Sequence, residues 1–304
     1  MGAEGHRGID PAAMKRIGER WSARGRRPPR MRWWESPAIR RHISKKVIPG
    51  GTENGFWHVE ALRATGRTFP RALSVGCGNA YQEIALLQAG IVEHFDLFEL
   101  APQMIMDAKE GAKKAGVRER MQFHFGDFFT SAKTAPDLYD LVFWSSSLHH
   151  MFDADRAVAV TRGTLKEKGV FYCNEFVGAS HFQYPTLEIM IANGVRSVLP
   201  REVFRIPGTD RYWETGTGRP PLDGMMREDP SEAADSANIL PAIRKHFPQA
   251  QIIPLGGVVY NLALMDILTN IPEDCGLLRD LLAIDDEAND KGIFQYAFCL
   301  TEKA

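Results

Sequence analysis

From Arg71 onward the chain alternates short apolar runs with amphipathic stretches, the pattern of β-α-β units feeding a parallel sheet. The spacing predicts strands at 72–75, 94–98, 121–125, 138–143 and 170–174, with helices at 81–89, 102–115 and 154–165 between them. A helix at 238–246 leads into two more strands, 251–254 and 293–301, with helical segments at 259–269 and 276–284 between those. Between Gly178 and about Ala237 the regularity fails: prolines and glycines cluster in 206–209 and 214–221. That stretch reads as a long insertion after the fifth strand, and a loop of such length inside a compact domain is commonly a lid or a binding loop.

Ahead of the sheet, Asp10-Pro11 opens a helix-like stretch to Trp21, and Ser36-Pro37 supplies an N-cap and first-turn proline for a helix from Ala38 to Ile48. Residues 1–50 carry thirteen Lys or Arg against four Asp or Glu, a local net of +9, although the whole chain is at −1. Paired Trp33 and Trp34 in so basic an arm need something to pack against, so the arm is expected to fold onto the main body. The division expected is an N-terminal helical arm or lid at 1–66 and a main domain at 67–304, with the insertion at about 178–237 covering the acceptor side.

Near-neutral net charge gives no global field for nucleic acid or an anionic membrane. No run approaches the ~20 apolar residues of a membrane helix. The four cysteines, Cys77, Cys173, Cys275 and Cys299, lie far apart and read as free thiols of a reducing compartment. The expected location is the cytoplasm, with no membrane and no nucleic acid as partner; a homodimer is allowed for.

The sharpest chemical signal is Leu73-Ser-Val-Gly76-Cys77-Gly78-Asn79-Ala80, a strand entering a Gly-rich turn that opens a helix. Glu99 stands 23 residues after Gly76 at the carboxyl end of the next strand, where an acid accepts hydrogen bonds from a ribose; Leu100 follows it. Asp127 follows the third strand in Gly126-Asp127-Phe128, placed to accept from an exocyclic amine while Phe128 covers the base. Polar groups at three successive strand ends fall where open α/β sheets bind ligands. A third glycine of GxGxxG is missing, because Tyr81 holds that position, and this disfavours a dinucleotide oxidoreductase.

These motifs, with Tyr139-Asp-Leu-Val-Phe143, resemble those of class I S-adenosylmethionine-dependent methyltransferases over residues 70–177. The resemblance implies an α/β Rossmann-like fold with a seven-stranded, mostly parallel sheet, whose last strand inserts antiparallel between the fifth and sixth. It implies S-adenosylmethionine as cofactor, with Gly76, Cys77, Gly78 and Asn79 at its methionine portion, Glu99 and Leu100 at the ribose, and Asp127 with Phe128 at the adenine. Ser145 is expected beside them.

The fourth strand exits into Trp144-Ser-Ser-Ser-Leu-His149-His150-Met-Phe-Asp153, delivering hydroxyls, imidazoles and an acid next to the sulfonium. His149 or His150 is expected to orient or deprotonate the acceptor, with Asp153 as a partner, and Glu175 joins them as a catalytic candidate at the end of the fifth strand. No metal is expected, since adjacent histidines diverge on most backbones and no third ligand has matching spacing. Trp34, Trp144, Asn174, Tyr184 and Arg201 are the expected acceptor-binding set. Arginines 201, 205 and 211 with Tyr212 and Trp213 point to a carboxylate clamp and an aromatic wall, hence an amino-acid-like thioether or amine acceptor. The chain is also faintly similar to bacterial small-molecule methyltransferases, among them methionine S-methyltransferases. An O- or N-methyltransferase of natural products is the alternative, with a nucleic-acid methyltransferase or a non-catalytic cofactor-binding regulator as readings of other classes.

Overall fold

The computed structural model describes residues 11–22, 31–130 and 135–304. Seven strands, β1 (Phe69–Val75), β2 (Val92–Glu99), β3 (Met121–Phe125), β4 (Tyr139–Ser145), β5 (Leu165–Phe176), β6 (Ile252–Gly256) and β7 (Tyr296–Glu302), form one sheet in the order β3-β2-β1-β4-β5-β7-β6. β1 to β5 pair in parallel. β7 runs antiparallel to both its neighbours, with Cys173 opposite Cys299 and Cys299 opposite Ile252.

Both faces of the sheet are covered, which is why its strands read as apolar runs. One face carries Phe95, Leu97, Phe143 and Tyr172 against α4 (Tyr81–Gln88), α5 (Pro102–Lys114) and the N-terminal helices α2 (Pro37–Val47) and α3 (Trp57–Arg63). The other carries Val142, Trp144 and Phe171 against α6 (Ala154–Thr164) and α9 (Ile239–His246). Asp96, buried inside β2, is compensated by Arg71, Tyr139 and His124, all within 3.1 Å.

The arm is tied down at several points. Ser36 caps α2 by accepting from Ile39 N, and its hydroxyl donates to Glu273. Trp33 is buried against Tyr260 and Tyr296, with ring centroids 5.1 and 4.9 Å away. α1 (Pro11–Ser22) lies across α5, so close at Gly18 that an added Cβ would sit 2.7 Å from the carbonyl oxygen of Leu100.

The expected irregular insertion is more ordered than its composition indicates. It contains α7 (Thr186–Ser197) and α8 (Leu222–Glu228). The buried face of α7 includes Glu188 and Arg196, so its hydrophobic period is broken by polar residues whose partners are distant. Gln295 donates to Glu188, and Arg196 donates to the carbonyls of Glu214, Thr215 and Ala263. The helix α3 was likewise absent from the sequence pattern, and the segment expected as a helix at 259–269 is a wide turn of π type at Val258–Ala263. The final helix, α10 (Gly276–Asp290), runs longer than the 276–284 the sequence indicates.

Candidate active site

The turn after β1 has left-handed backbone at Gly76 (φ 69°), Gly78 (φ 56°) and Ala80 (φ 54°). A Cβ on Gly76 would lie 2.9 Å from Cβ of Ser147, so the loop after β4 abuts the glycine turn directly. Nothing stands within 4 Å of where a Gly78 Cβ would point. Cys77 packs its side chain toward the core, and Asn79 is exposed.

Glu99 shapes this turn as well as facing it. Its Oε2 accepts from Gly78 N at 2.8 Å, and its Oε1 accepts from Leu100 N and Ala101 N at 2.8 and 2.9 Å. Two carboxylate oxygens offer about four acceptor positions, so capacity remains for a hydroxyl. Asp127 is half-buried and accepts from Phe129 N. Phe128 is packed in the core edge-on to Phe98 at 5.1 Å and is only 1% exposed. A ring so enclosed has no open face to cover a base, whereas Leu100 and Phe129 are only half-buried.

The loop after β4 turns at Ser146 (φ 55°), whose N–H donates to the carbonyl of Asn174. Glu175, fully buried, holds the loop from beneath. Its Oε1 accepts from Ser147 N and Leu148 N at 2.7 and 2.8 Å, and its Oε2 lies 2.7 Å from Nδ1 of His149. With both oxygens so engaged Glu175 is a positioning residue for His149, not a group open to substrate.

The insertion reaches the histidine pair. Glu232 Oε1 is 3.7 Å from Nε2 of His149, and Ser231 Oγ is 3.2 Å from Nδ1 of His150 while itself donating to Asp229. Burial opposes protonation of His149, but its hydrogen bond to Glu175 and the charges of Glu175, Glu232 and Asp229 overcome that and raise its pKa. Burial and the neighbouring His149 push His150 the other way. Arg20 of α1 pairs with Glu228 at 2.9 Å and Asp229 at 3.6 Å, joining the arm to the insertion. Neither Glu232 nor Asp229 was singled out from the sequence; the only trace was an acidic run, 228–232, in a segment read as irregular.

Ser145 and Asn174 face each other in register on β4 and β5. Oγ of Ser145 and Oδ1 of Asn174 are buried with no protein hydrogen-bond partner. They share the sheet face of Phe143 and Tyr172, against which His58 of α3 packs, its ring 6.5 Å from Phe143. Burial pushes His58 down to about 4, so it is neutral near pH 7. Beside it a cleft of about 740 Å³ is lined by Asn54, Phe56, His58 and Tyr81.

Several expected acceptor contacts lie elsewhere. Trp144 is wholly buried on the opposite face, its indole N–H donating to Thr161 at 3.0 Å; strand alternation turns it away from Ser145. Trp34 is 41% exposed and edge-on to Trp33. Arg201 is exposed over the Tyr212 ring, and Arg205 pairs with Asp210. Arg211 is exposed too, so no carboxylate clamp assembles from these arginines. Asp153 caps α6 through Arg156 N. His42 bonds to Asp286, and His181 lies 3.2 Å from the carbonyl of Glu232. Tyr184 is buried, with its ring stacked on Phe182.

A family model described as a methyltransferase domain matches residues 70–197. Geranyl diphosphate C-methyltransferase from Streptomyces coelicolor A3(2) is similar in structure at a TM-score of 0.55, with 12% identity over 97% of this chain and 98% of that one. A second structure of that enzyme, with geranyl-S-thiolodiphosphate, gives a TM-score of 0.54 at 13% identity, covering 97% of this chain and 100% of that one. A geranyl diphosphate methyltransferase in complex with sinefungin gives 0.52 at 10% identity, covering 96% and 100%. At such identities the likeness is one of fold. No curated protein sequence matches the chain. Among the described residues no helix is long and apolar enough to cross a membrane. Residues 70–197 thus match a methyltransferase domain, and the seven-stranded sheet that holds them has a fold shared with methyltransferases crystallised with S-adenosylhomocysteine.

Proposed function

We propose that this methyltransferase acts on a small, uncharged or cationic metabolite, which it methylates at nitrogen or oxygen in the mouth bounded by Ser145, His149, His150, Asn174 and Glu232. The observation that carries this reading is the pair of buried oxygens on Ser145 and Asn174, adjacent across β4 and β5 and without a protein partner. A buried polar atom left unpaired costs roughly 1–3 kcal/mol, and a ligand N–H or O–H placed between them would remove that cost. The three carboxylates around the histidine pair favour a donor-rich acceptor and disfavour phosphodiesters, or a diphosphate like that named for the enzymes of similar fold. The arginines that recommended an amino-acid-like acceptor lie outside this mouth, so methionine S-methylation loses its support.

The residues present fit S-adenosylmethionine: open space at Gly78, a left-handed glycine turn, and acids at the ends of β2 and β3. When bound, the cofactor supplies an electrophilic methyl group on a sulfonium. Gly76, Cys77, Gly78 and Asn79 would hold its methionine portion, Glu99 and Leu100 its ribose, and Asp127 its adenine amine, with Ser145 at the boundary to the acceptor. His149 and His150 orient the acceptor. Positioning is expected to supply most of the rate, because in-line transfer requires a contact of about 3–3.5 Å in a site closed to water. The Arg20 pairs join α1 to the insertion, beside the Ser231 and Glu232 turn.

Calorimetric titration with S-adenosylmethionine, for wild type and Asp127→Ala, tests the cofactor half. Binding weakened roughly tenfold in the variant is expected, from one lost charge-assisted hydrogen bond. A methyl-transfer screen of amines, hydroxyl compounds, thioethers and RNA, read by S-adenosylhomocysteine release, tests the acceptor half. Turnover confined to thioethers or RNA would overturn it.

A further inference from the structure

No third metal ligand for the histidine pair is visible in the spacing, but the fold brings one from 82 residues away in the insertion. One coordinating atom from each of His149, His150 and Glu232 lies within 4.8 Å of the other two, and the two imidazole centroids are 4.3 Å apart. Adjacent histidines converge here because Leu148–His150 form a single 3₁₀ turn, pinned at Ser147 N and Leu148 N by Glu175.

The hydrogen bonds behind the rings fix which nitrogen holds the proton. Glu175 Oε2 accepts from Nδ1–H of His149, so in the neutral ring the lone pair is on Nε2, the atom that faces Glu232. Ser231 Oγ spends its own proton on Asp229 Oδ1 at 2.6 Å, so it accepts from Nδ1–H of His150 and leaves that ring's lone pair on Nε2 as well. A carboxylate behind each imidazole, direct for His149 and relayed by a serine for His150, is the arrangement that orients histidines toward a metal and raises their basicity.

We propose that His149, His150 and Glu232 bind a divalent first-row transition ion. Two imidazoles and one carboxylate suit zinc, cobalt, nickel or iron(II), whereas magnesium and calcium prefer oxygen ligands. Three protein ligands leave at least one coordination position for water or an acceptor heteroatom. With metal bonds near 2.0–2.2 Å, ligand atoms sit roughly 3–3.5 Å apart, so the site closes by about an ångström on loading. Glu232, half-buried on the turn after Asp229, supplies that movement. The site stands on its own geometry; only the ion's role as a handle for the acceptor rests on the function proposed above.

The test uses untagged full-length protein, stripped with a chelator, exchanged into chelator-free buffer and titrated with cobalt(II). One equivalent is expected to bind with the visible absorption of a nitrogen-oxygen cobalt site, and zinc(II) is expected to displace it. Glu232→Gln and Ser231→Ala, each checked for wild-type circular dichroism, should weaken cobalt binding by roughly tenfold or more, the direct ligand more than the serine behind it. No cobalt binding by the wild type, or binding undiminished in folded Glu232→Gln, overturns the site. S-adenosylmethionine titration of the same samples separates the two readings: a protein that binds the cofactor but no cobalt keeps the methyltransferase assignment and loses this one.

Discussion

Glu83 occupies the first turn of α4, directly beneath the glycine turn, and is 4% exposed. Ser74 Oγ donates to its Oε1 at 2.6 Å. Burial pushes the Glu83 carboxyl up from an ordinary 4.5 to about 7, with the Ser74 bond opposing and the charge of Glu99 adding to the rise. Between those two values the folded chain holds a proton that the unfolded chain has released, so stability is complete below about 4.5 and is lost as pH rises through 7. At about 1.4 kcal/mol per pH unit the full loss is about 3 kcal/mol. Glu83→Gln keeps the shape and an oxygen for Ser74 but does not titrate. Its stability relative to wild type should therefore rise by roughly 2–3 kcal/mol between pH 5 and pH 8, whatever fixed cost the amide carries. Urea denaturation followed by circular dichroism at pH 5, 6, 7 and 8 measures that difference. A gap constant to within ~0.5 kcal/mol across the range would refute the burial argument.

Three further substitutions probe the frame of the site. Glu175→Ala removes the acceptor of two backbone N–H groups and of His149, all buried, and should cost roughly 3–5 kcal/mol, lowering Tm by about 10 °C; a melt within two degrees or so of wild type would show that the loop does not depend on it. Gly78→Ala meets nothing within 4 Å and carries only a left-handed backbone cost of roughly 1–2 kcal/mol, so it should fold yet lose S-adenosylmethionine affinity, read by calorimetry. Gly76→Ala, whose Cβ would collide with Ser147, should lose stability as well, and equal behaviour of the two variants in melting would contradict the contact.

The chain's own pattern determined the fold. Six apolar strand segments in βα alternation, then an isolated final apolar run, are local signals that need no partner to be read, and β7 took the antiparallel place expected for 293–301. The glycine turn, Glu99 and Asp127 were legible for the same reason: each follows a strand immediately, and in a parallel sheet all strand ends point to one edge. Facing directions within the strands could also have been read, and Trp144 was misassigned because its neighbour Ser145 is the residue on the site's side.

What only the tertiary structure decided is how distant polar residues meet. α7 escaped the periodicity because Glu188 and Arg196 sit on its buried face, satisfied by Gln295 and by carbonyls of the following loop. The arginines of the insertion went to exposed positions and backbone contacts, a choice no spacing encodes. Glu232 and Asp229 reached His149 and His150 because the loop closes over β4 and β5, and Glu175 became a buried bracket because both its oxygens found partners in the loop after β4. Apolar periodicity records which face of an element is inside; the pairing of charges depends on three-dimensional distance, and sequence separation does not fix that.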